Sequence, residues 1–296
     1  MSLRHALVTG ATGFVGRHLV RHLLDTGWRV HALVRPGSET DVLPVETAAI
    51  TVHTTDGSSD SVEQAVATAR PDVVFHLASR FVAQHGRADI TPMIESNLRF
   101  GTQLAEAMVH AGSSALVNTG TPWQYREGSD YSPVNLYAAT KQAFEDLLQY
   151  YADADGLRVI TLALADTYGP GDPRPKLLPK LAAHATGHAP LPLSPGEQHL
   201  DLVHVRDAAR AFRMAGEHVL ECAPGHRARY AVTSGSTLSL RELVATIESV
   251  VGQRLPVAWG ARPYRPREVM RPTIGTPLPD WAPEIALRTG LKELFP

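Results

Sequence analysis

Cysteine is nearly absent: Cys222 is the only one among 296 residues, so no disulfide can form within the chain and a reducing compartment is expected. It has no catalytic-cysteine signature around it and reads as packing. Neither sign of charge is in excess. Lys plus Arg is 28 and Asp plus Glu is 30, a formal net charge of −2 that gives no footprint for nucleic acid or an anionic membrane. No apolar run approaches a membrane span, and the apolar start reaches Gly10 too soon for a secretory signal. The expectation is a soluble, cytoplasmic protein. Histidine is common, with 14 residues, and His18/His22 and His184/His188 stand one helical turn apart. No H-E-x-x-H pattern accompanies them, so no metal site is expected.

What is present is an ordinary globular mixture, 44% hydrophobic, with enough chain for one large domain or two intimate ones. Strand patterns at 6–8, 30–34, 49–53, 73–78, 115–118 and 158–164 alternate with helical ones at 61–69, 93–111 and 135–152. Repeated β-α-β order predicts an α/β fold, a Rossmann-type doubly wound parallel sheet with helices on both faces. After Tyr168 the texture changes, because Pro170, Pro173, Pro175, Pro179, Pro190, Pro192 and Pro195 forbid long regular elements. Residues 1–167 are therefore expected to form a dinucleotide-binding domain, rejoined by about 200–218. Residues 168–296 mainly build a smaller, interleaved lobe over the ligand.

The first strand runs into Gly10-Ala11-Thr12-Gly13-Phe14-Val15-Gly16 and then a helix. Glycines at this spacing allow a tight turn and let backbone approach a pyrophosphate at the positive helix N-terminus. The second strand ends in Arg35-Pro36-Gly37-Ser38, without the carboxylate that would hold a ribose 2′-hydroxyl. Arg35 supplies a cationic fork and Ser38 a hydroxyl for a 2′-phosphate, which points to NADP(H) over NAD.

Tyr137 and Lys141 lie at i and i+4 on a predicted helix, hence on one face. A nearby cation favours phenolate and would lower the tyrosine towards neutral pH, letting it exchange a proton with a carbonyl or alcohol. Y-x-x-x-K alone is a weak signal. Its place after the glycine loop and the strand at 115–118 gives it weight.

In that order the motifs resemble an extended short-chain dehydrogenase/reductase of the nucleotide-sugar branch. The matches include Gly10-x-x-Gly13-x-x-Gly16, Asp56, His76-Leu77-Ala78, Asn97, Tyr137-x-x-x-Lys141, Tyr168-Gly169-Pro170 and Arg262-Pro263. The resemblance implies a cofactor site at Gly10, Thr12, Gly13, Phe14, Val15, Gly16, Arg35, Ser38, Asp56, Gly57, Leu77, Ala78, Ser79, Asn97, Thr119, Tyr137 and Lys141. Asp56 would contact adenine and Asn97 would fix the central helix. It further implies substrate contacts at Arg80, Trp123, Asp166, Lys176 and Arg262, with Arg265 and Arg267 nearby, and a homodimer formed through the two long helices. Thr121 is expected to bind the reacting carbonyl, with Thr119 as the alternative.

The branch's 4,6-dehydratases carry Asp-Glu after that threonine, whereas Pro122 and Trp123 stand here and cannot move protons. The Cys/His pair of its epimerase–reductases is also missing. The remaining segments resemble CDP-abequose synthases and related reductases of NDP-4-keto-6-deoxyhexoses. NADPH-dependent reduction at C4 is therefore expected, with 4-epimerisation as the alternative and an idle dinucleotide-binding regulator as the outlier. Leu200 stands where relatives often carry Arg, which leaves the nucleotide base open.

Overall fold

The computed structural model describes residues 3–126, 128, 130–185 and 189–295. His188, half of one histidine pair noted above, lies outside them. Seven parallel strands form the main sheet in the spatial order Arg227–Val232, Arg158–Leu164, Ala115–Gly120, Val73–His76, His5–Thr9, Arg29–Val34, Ile50–Thr54. The order reverses between His5–Thr9 and Val73–His76, which opens a crevice at the carboxyl ends of those strands.

Both faces of the sheet are covered, and side-chain alternation sorts its residues between two cores. Val8, Phe75 and Val117 face one core with Leu19, Leu23 and Phe212. Leu7, Val74 and Leu116 face the other with Leu104, Met108, Phe144 and Leu148. Each such side chain contributes roughly 1.5–3 kcal/mol by leaving water. Helix Val205–Glu221 lies close to the sheet where its buried positions are small, as at Ala208, Ala211, Ala215 and Gly216, and a Cβ on Gly216 would come within 2.4 Å of the Phe75 ring.

The long segment before the fifth strand is helical over Ile90–Ile94 and Phe100–His110, joined by a π-helical turn at Glu95–Arg99. The helix Leu136–Asp155 starts where Asn135 Oδ1 accepts from the Ala138 N–H at 2.9 Å, and ends at Gly156, whose φ of +72° favours glycine.

Beyond shifts of one or two residues at strand ends, two differences from expectation matter to the site. The fourth strand ends at His76 rather than 78, because Leu77 and Ala78 turn their N–H groups to the Thr9 carbonyl and hydroxyl. Arg227–Val232, placed by sequence in the second lobe, adds a seventh strand beside Arg158–Leu164. The second lobe has its own core of Leu178, Leu181, Leu243, Ile247 and Leu291, built from Leu177–His184, Leu240–Val251 and Leu287–Leu294. No helix among the described residues is long and apolar enough to cross a membrane.

Candidate active site

A cleft of about 1190 Å³ runs between the carboxyl ends of the strands and the second lobe. Gly10, Gly13, Phe14, Val15 and Gly16 form its floor. The glycines are required by space: a Cβ on Gly16 would sit 2.0 Å from the Gly10 carbonyl oxygen, and one on Gly10 would sit 2.7 Å from the Ala78 nitrogen. Helix Phe14–Asp25 begins here with no side-chain cap and no acidic residue in its first turn, so its N-terminal N–H groups remain available to an anion. This cradle fits a dinucleotide pyrophosphate.

Around it, Pro36 and Gly37 form a turn closed by the Ser38 N–H on the Arg35 carbonyl at 3.2 Å, with Gly37 at φ +74°. Arg35 is exposed, and its guanidinium has no hydrogen-bond or ion-pair partner among the described residues. Asp56, ahead of Gly57, accepts from the Ser58 hydroxyl and N–H and the Ser61 hydroxyl at 2.6–2.9 Å, which hold its carboxyl down at about 2. Leu77 and Ser79 line the cleft. Thr12 stands within the glycine loop, and Ala78 follows the fourth strand, where its N–H donates to the Thr9 hydroxyl at 3.2 Å. Asn97 is buried in the π-helical turn. Its Nδ2 donates to the Thr140 hydroxyl and the Arg80 carbonyl, and its Oδ1 accepts from the Arg80 N–H and Ser79 hydroxyl.

Tyr137 and Lys141 project from the first turns of Leu136–Asp155, both buried. Burial pushes the Tyr137 phenol up to about 12, against the opposing pull of the Ser79 side chain and the Arg174 guanidinium. This corrects the expectation of a lowered phenol: the charge that acts on it is Arg174, and desolvation outweighs it. Lys141 is itself brought down to about 8 by burial, with Glu145 opposing. The two threonines separate clearly. Thr119 spends its hydroxyl proton on the His76 carbonyl at 2.8 Å, whereas the Thr121 hydroxyl accepts the Trp123 N–H at 3.3 Å and keeps its proton to donate.

Above Tyr137 stands an aromatic wall. The Phe81 ring meets Tyr137 edge-on at 5.0 Å and Trp123 at 5.7 Å. Lys176 Nζ sits 5.4 Å from Phe81 and pairs with Asp166 at 3.2 Å; Arg265 covers Trp123 at 5.4 Å and pairs with Glu268 at 2.6 Å. Arg267 donates to the Pro133 carbonyl and Ser132 hydroxyl. Of the four cations Lys176, Arg262, Arg265 and Arg267, only Arg262 has a side chain without a partner among the described residues. Arg80 is not brought to the cleft, because its guanidinium pairs with Asp89 at 3.1 Å.

Sequence reasoning missed Phe81 and Arg174. Arg174 lies in the proline-rich strap, grips Asp172 with both ends of its guanidinium at 2.7 Å, and covers the Phe14 ring at 4.4 Å. The neighbouring Gly171 carbonyl accepts from Arg17, tying the strap to the glycine helix. No group of three or more His, Cys, Asp or Glu among the described residues could hold a metal ion.

Residues 6–229 match the NAD dependent epimerase/dehydratase family. The chain belongs to that family. It is 24% identical to a CDP-abequose synthase of Salmonella typhimurium over 98% of this chain and 97% of that protein. It is 29% identical to a UDP-glucose 4-epimerase of Mycolicibacterium smegmatis over 96% and 95%. Among solved structures, the NAD complex of Thermus thermophilus UDP-glucose 4-epimerase superposes with a TM-score of 0.82 at 26% identity, covering 98% of this chain and 97% of that one. The glycine cradle and the Tyr137–Lys141 pair both fall within the matched residues.

Proposed function

We propose that this protein reduces a nucleotide-linked 4-keto-6-deoxyhexose at C4, using NADPH. The observation that carries the reading is the arrangement at the end of the fifth strand. A buried, protonated Tyr137 shares the cleft with the Thr121 hydroxyl, and the next two positions are Pro122 and Trp123 in a 3₁₀ turn. That arrangement offers one acid for a carbonyl oxygen and no acid–base pair for removing water. The near-full-length likeness to CDP-abequose synthase points the same way.

Bound over the glycine loop, the reduced nicotinamide supplies the hydride. Thr121 donates a hydrogen bond to the ketone oxygen, and Tyr137 gives it a proton as negative charge develops. A phenol near 12 is fully protonated at neutral pH, the form that reduction needs. Lys141 remains mostly charged below its value of about 8 and holds the nicotinamide ribose. The Phe81 and Trp123 rings offer an apolar wall to the C6 methyl group, and Arg262 meets the diphosphate. Unpartnered Arg35, with Ser38, favours the 2′-phosphate of NADPH.

The protein also pairs as a homodimer in this reading. Leu147 and Tyr150 stand 37% and 64% exposed on Leu136–Asp155, next to Phe100–His110, where a second copy would cover them. Static light scattering at micromolar concentration should give twice the chain mass. The activity is tested by following NADPH consumption with CDP-, TDP-, GDP- and UDP-linked 4-keto-6-deoxyhexoses. At least one should be turned over by the wild type, and Tyr137→Phe should lower turnover roughly 10²–10⁴-fold while NADPH still binds. A Tyr137→Phe enzyme as fast as wild type refutes the mechanism.

A further inference from the structure

Behind the reacting face lies a polar network that the mechanism above does not use. Glu145 stands one turn beyond Lys141 on the same helix, with its side chain only 15% exposed. Its Oε1 accepts from Gln124 Nε2 at 2.9 Å, and its Oε2 lies 3.3 Å from Arg229 Nε. Arg229 comes from the strand Arg227–Val232, more than a hundred residues from Thr121 in sequence. It donates through Nη2 to the Thr121 carbonyl at 2.9 Å and to Gln124 Oε1 at 3.0 Å. Gln124 Oε1 also accepts the Thr121 N–H at 3.1 Å, so both backbone polar groups of Thr121 end in this network. Gly120 makes room for it: a Cβ there would lie 3.1 Å from Glu145 Oε1 and 2.8 Å from Thr161.

We propose that Glu145 is a positioning residue for the reductase site: its carboxylate is the counter-charge of the Lys141 ammonium and, through Gln124 and Arg229, it clamps the turn bearing Thr121 onto the helix bearing Tyr137. This rests on the reading of Thr121, Tyr137 and Lys141 given above. Neither His76 nor Tyr137 supplies a compensating charge to Lys141. His76, from the neighbouring strand, is buried and held neutral, driven down to about 3. The Tyr137 phenol, one turn before Lys141 on the same helix, is un-ionised. Glu145 offers the negative charge: burial raises its carboxyl above the ordinary value, and Arg229, Gln124 and Lys141 oppose that rise.

The chain has four lysines, Lys141, Lys176, Lys180 and Lys292, so ¹³C-labelled lysine gives few ε-carbon signals, and Lys141→Met assigns the relevant one. In the free protein that signal should titrate near 8. In Glu145→Gln the midpoint should drop by about one unit or more, the loss of one nearby opposite charge. Should that variant not fold, Glu145→Asp draws the charge back by one methylene and should give a smaller drop in the same direction. An unmoved midpoint in the folded variant overturns the counter-charge role. Arg229→Lys keeps a cation but loses the fork on Thr121 and Gln124; turnover should fall roughly tenfold with NADPH affinity unchanged. Unchanged turnover there overturns the clamp. The titration needs no substrate, so its failure is separate from a failure of the reductase reading, which Tyr137→Phe decides.

Discussion

Asn97 Nδ2 donates to the Thr140 hydroxyl at 2.9 Å, linking the π-helical turn at Glu95–Arg99 to the helix that carries Tyr137 and Lys141. The same amide holds both backbone polar groups of Arg80. Asn97→Ala leaves four partners without it in a buried setting, and unmade buried bonds cost about 1–3 kcal/mol each. The variant should melt several degrees lower, and turnover should fall further than the lost stability accounts for. Calorimetry beside a turnover assay checks this; unchanged melting would show that the link is dispensable.

Gly16→Ala places a methyl group where only 2.0 Å separates it from the Gly10 carbonyl oxygen, and that neighbour is backbone. The turn must open, so NADPH binding followed by fluorescence should be lost or weakened by at least roughly a hundredfold. Wild-type affinity in this variant would place the cofactor elsewhere.

Arg35→Asp should invert the cofactor preference. Hydrogen bonds to charged groups are worth about 1.5–3 kcal/mol, so wild-type protein should bind NADPH roughly tenfold or more tightly than NADH, and the variant the reverse. Equal affinities in wild-type protein would remove Arg35 from the site.

Arg80→Ala provides the complementary test. Its guanidinium pairs with Asp89 outside the cleft, and such partly exposed pairs contribute about 0–1 kcal/mol. KM for the sugar nucleotide should stay within roughly twofold of wild type. A large rise would bring Arg80 back among the substrate contacts.

Acid should destabilise the fold through its histidines. Burial lowers His76 to about 3 and, helped by His53 and His5, lowers His31 to about 4; the His31 and His53 rings share a hydrogen bond of 2.9 Å. As pH falls below about 6.5 the unfolded chain takes up protons that the folded chain refuses, so stability is full above that value and is lost progressively towards the folded values. Thermal melts between about pH 7 and pH 5 should show this fall, and His31→Gln should flatten it. An identical slope in that variant would clear His31.

The parts of this molecule written in local pattern were legible in sequence. The strand into Gly10-x-x-Gly13-x-x-Gly16 and the Tyr137–Lys141 spacing each depend on residues a few positions apart, and the strand at 158–164 emerged with those bounds. What escaped depends on contacts between distant segments. Nothing near Arg229 announces that it reaches Thr121, nothing near Arg174 that it covers Phe14, and Arg80 looked like a ligand because its partner Asp89 lay unread in the next loop. The tyrosine was misjudged for a related reason: helical spacing gives proximity to Lys141 but says nothing of the burial that dominates the phenol. The seventh strand was missed because residues 227–232 follow a segment already assigned to the other lobe.

The central claim is hydride transfer to C4, and the most direct measurement gives NADPH deuterated at the transferred position to the enzyme with a CDP-linked 4-keto-6-deoxyhexose, the product being read by NMR and mass spectrometry. The account predicts one deuterium at C4 and one NADPH consumed for each product formed. Interconversion of 4-epimers with no net NADPH use, or a product unlabelled at C4, would contradict it.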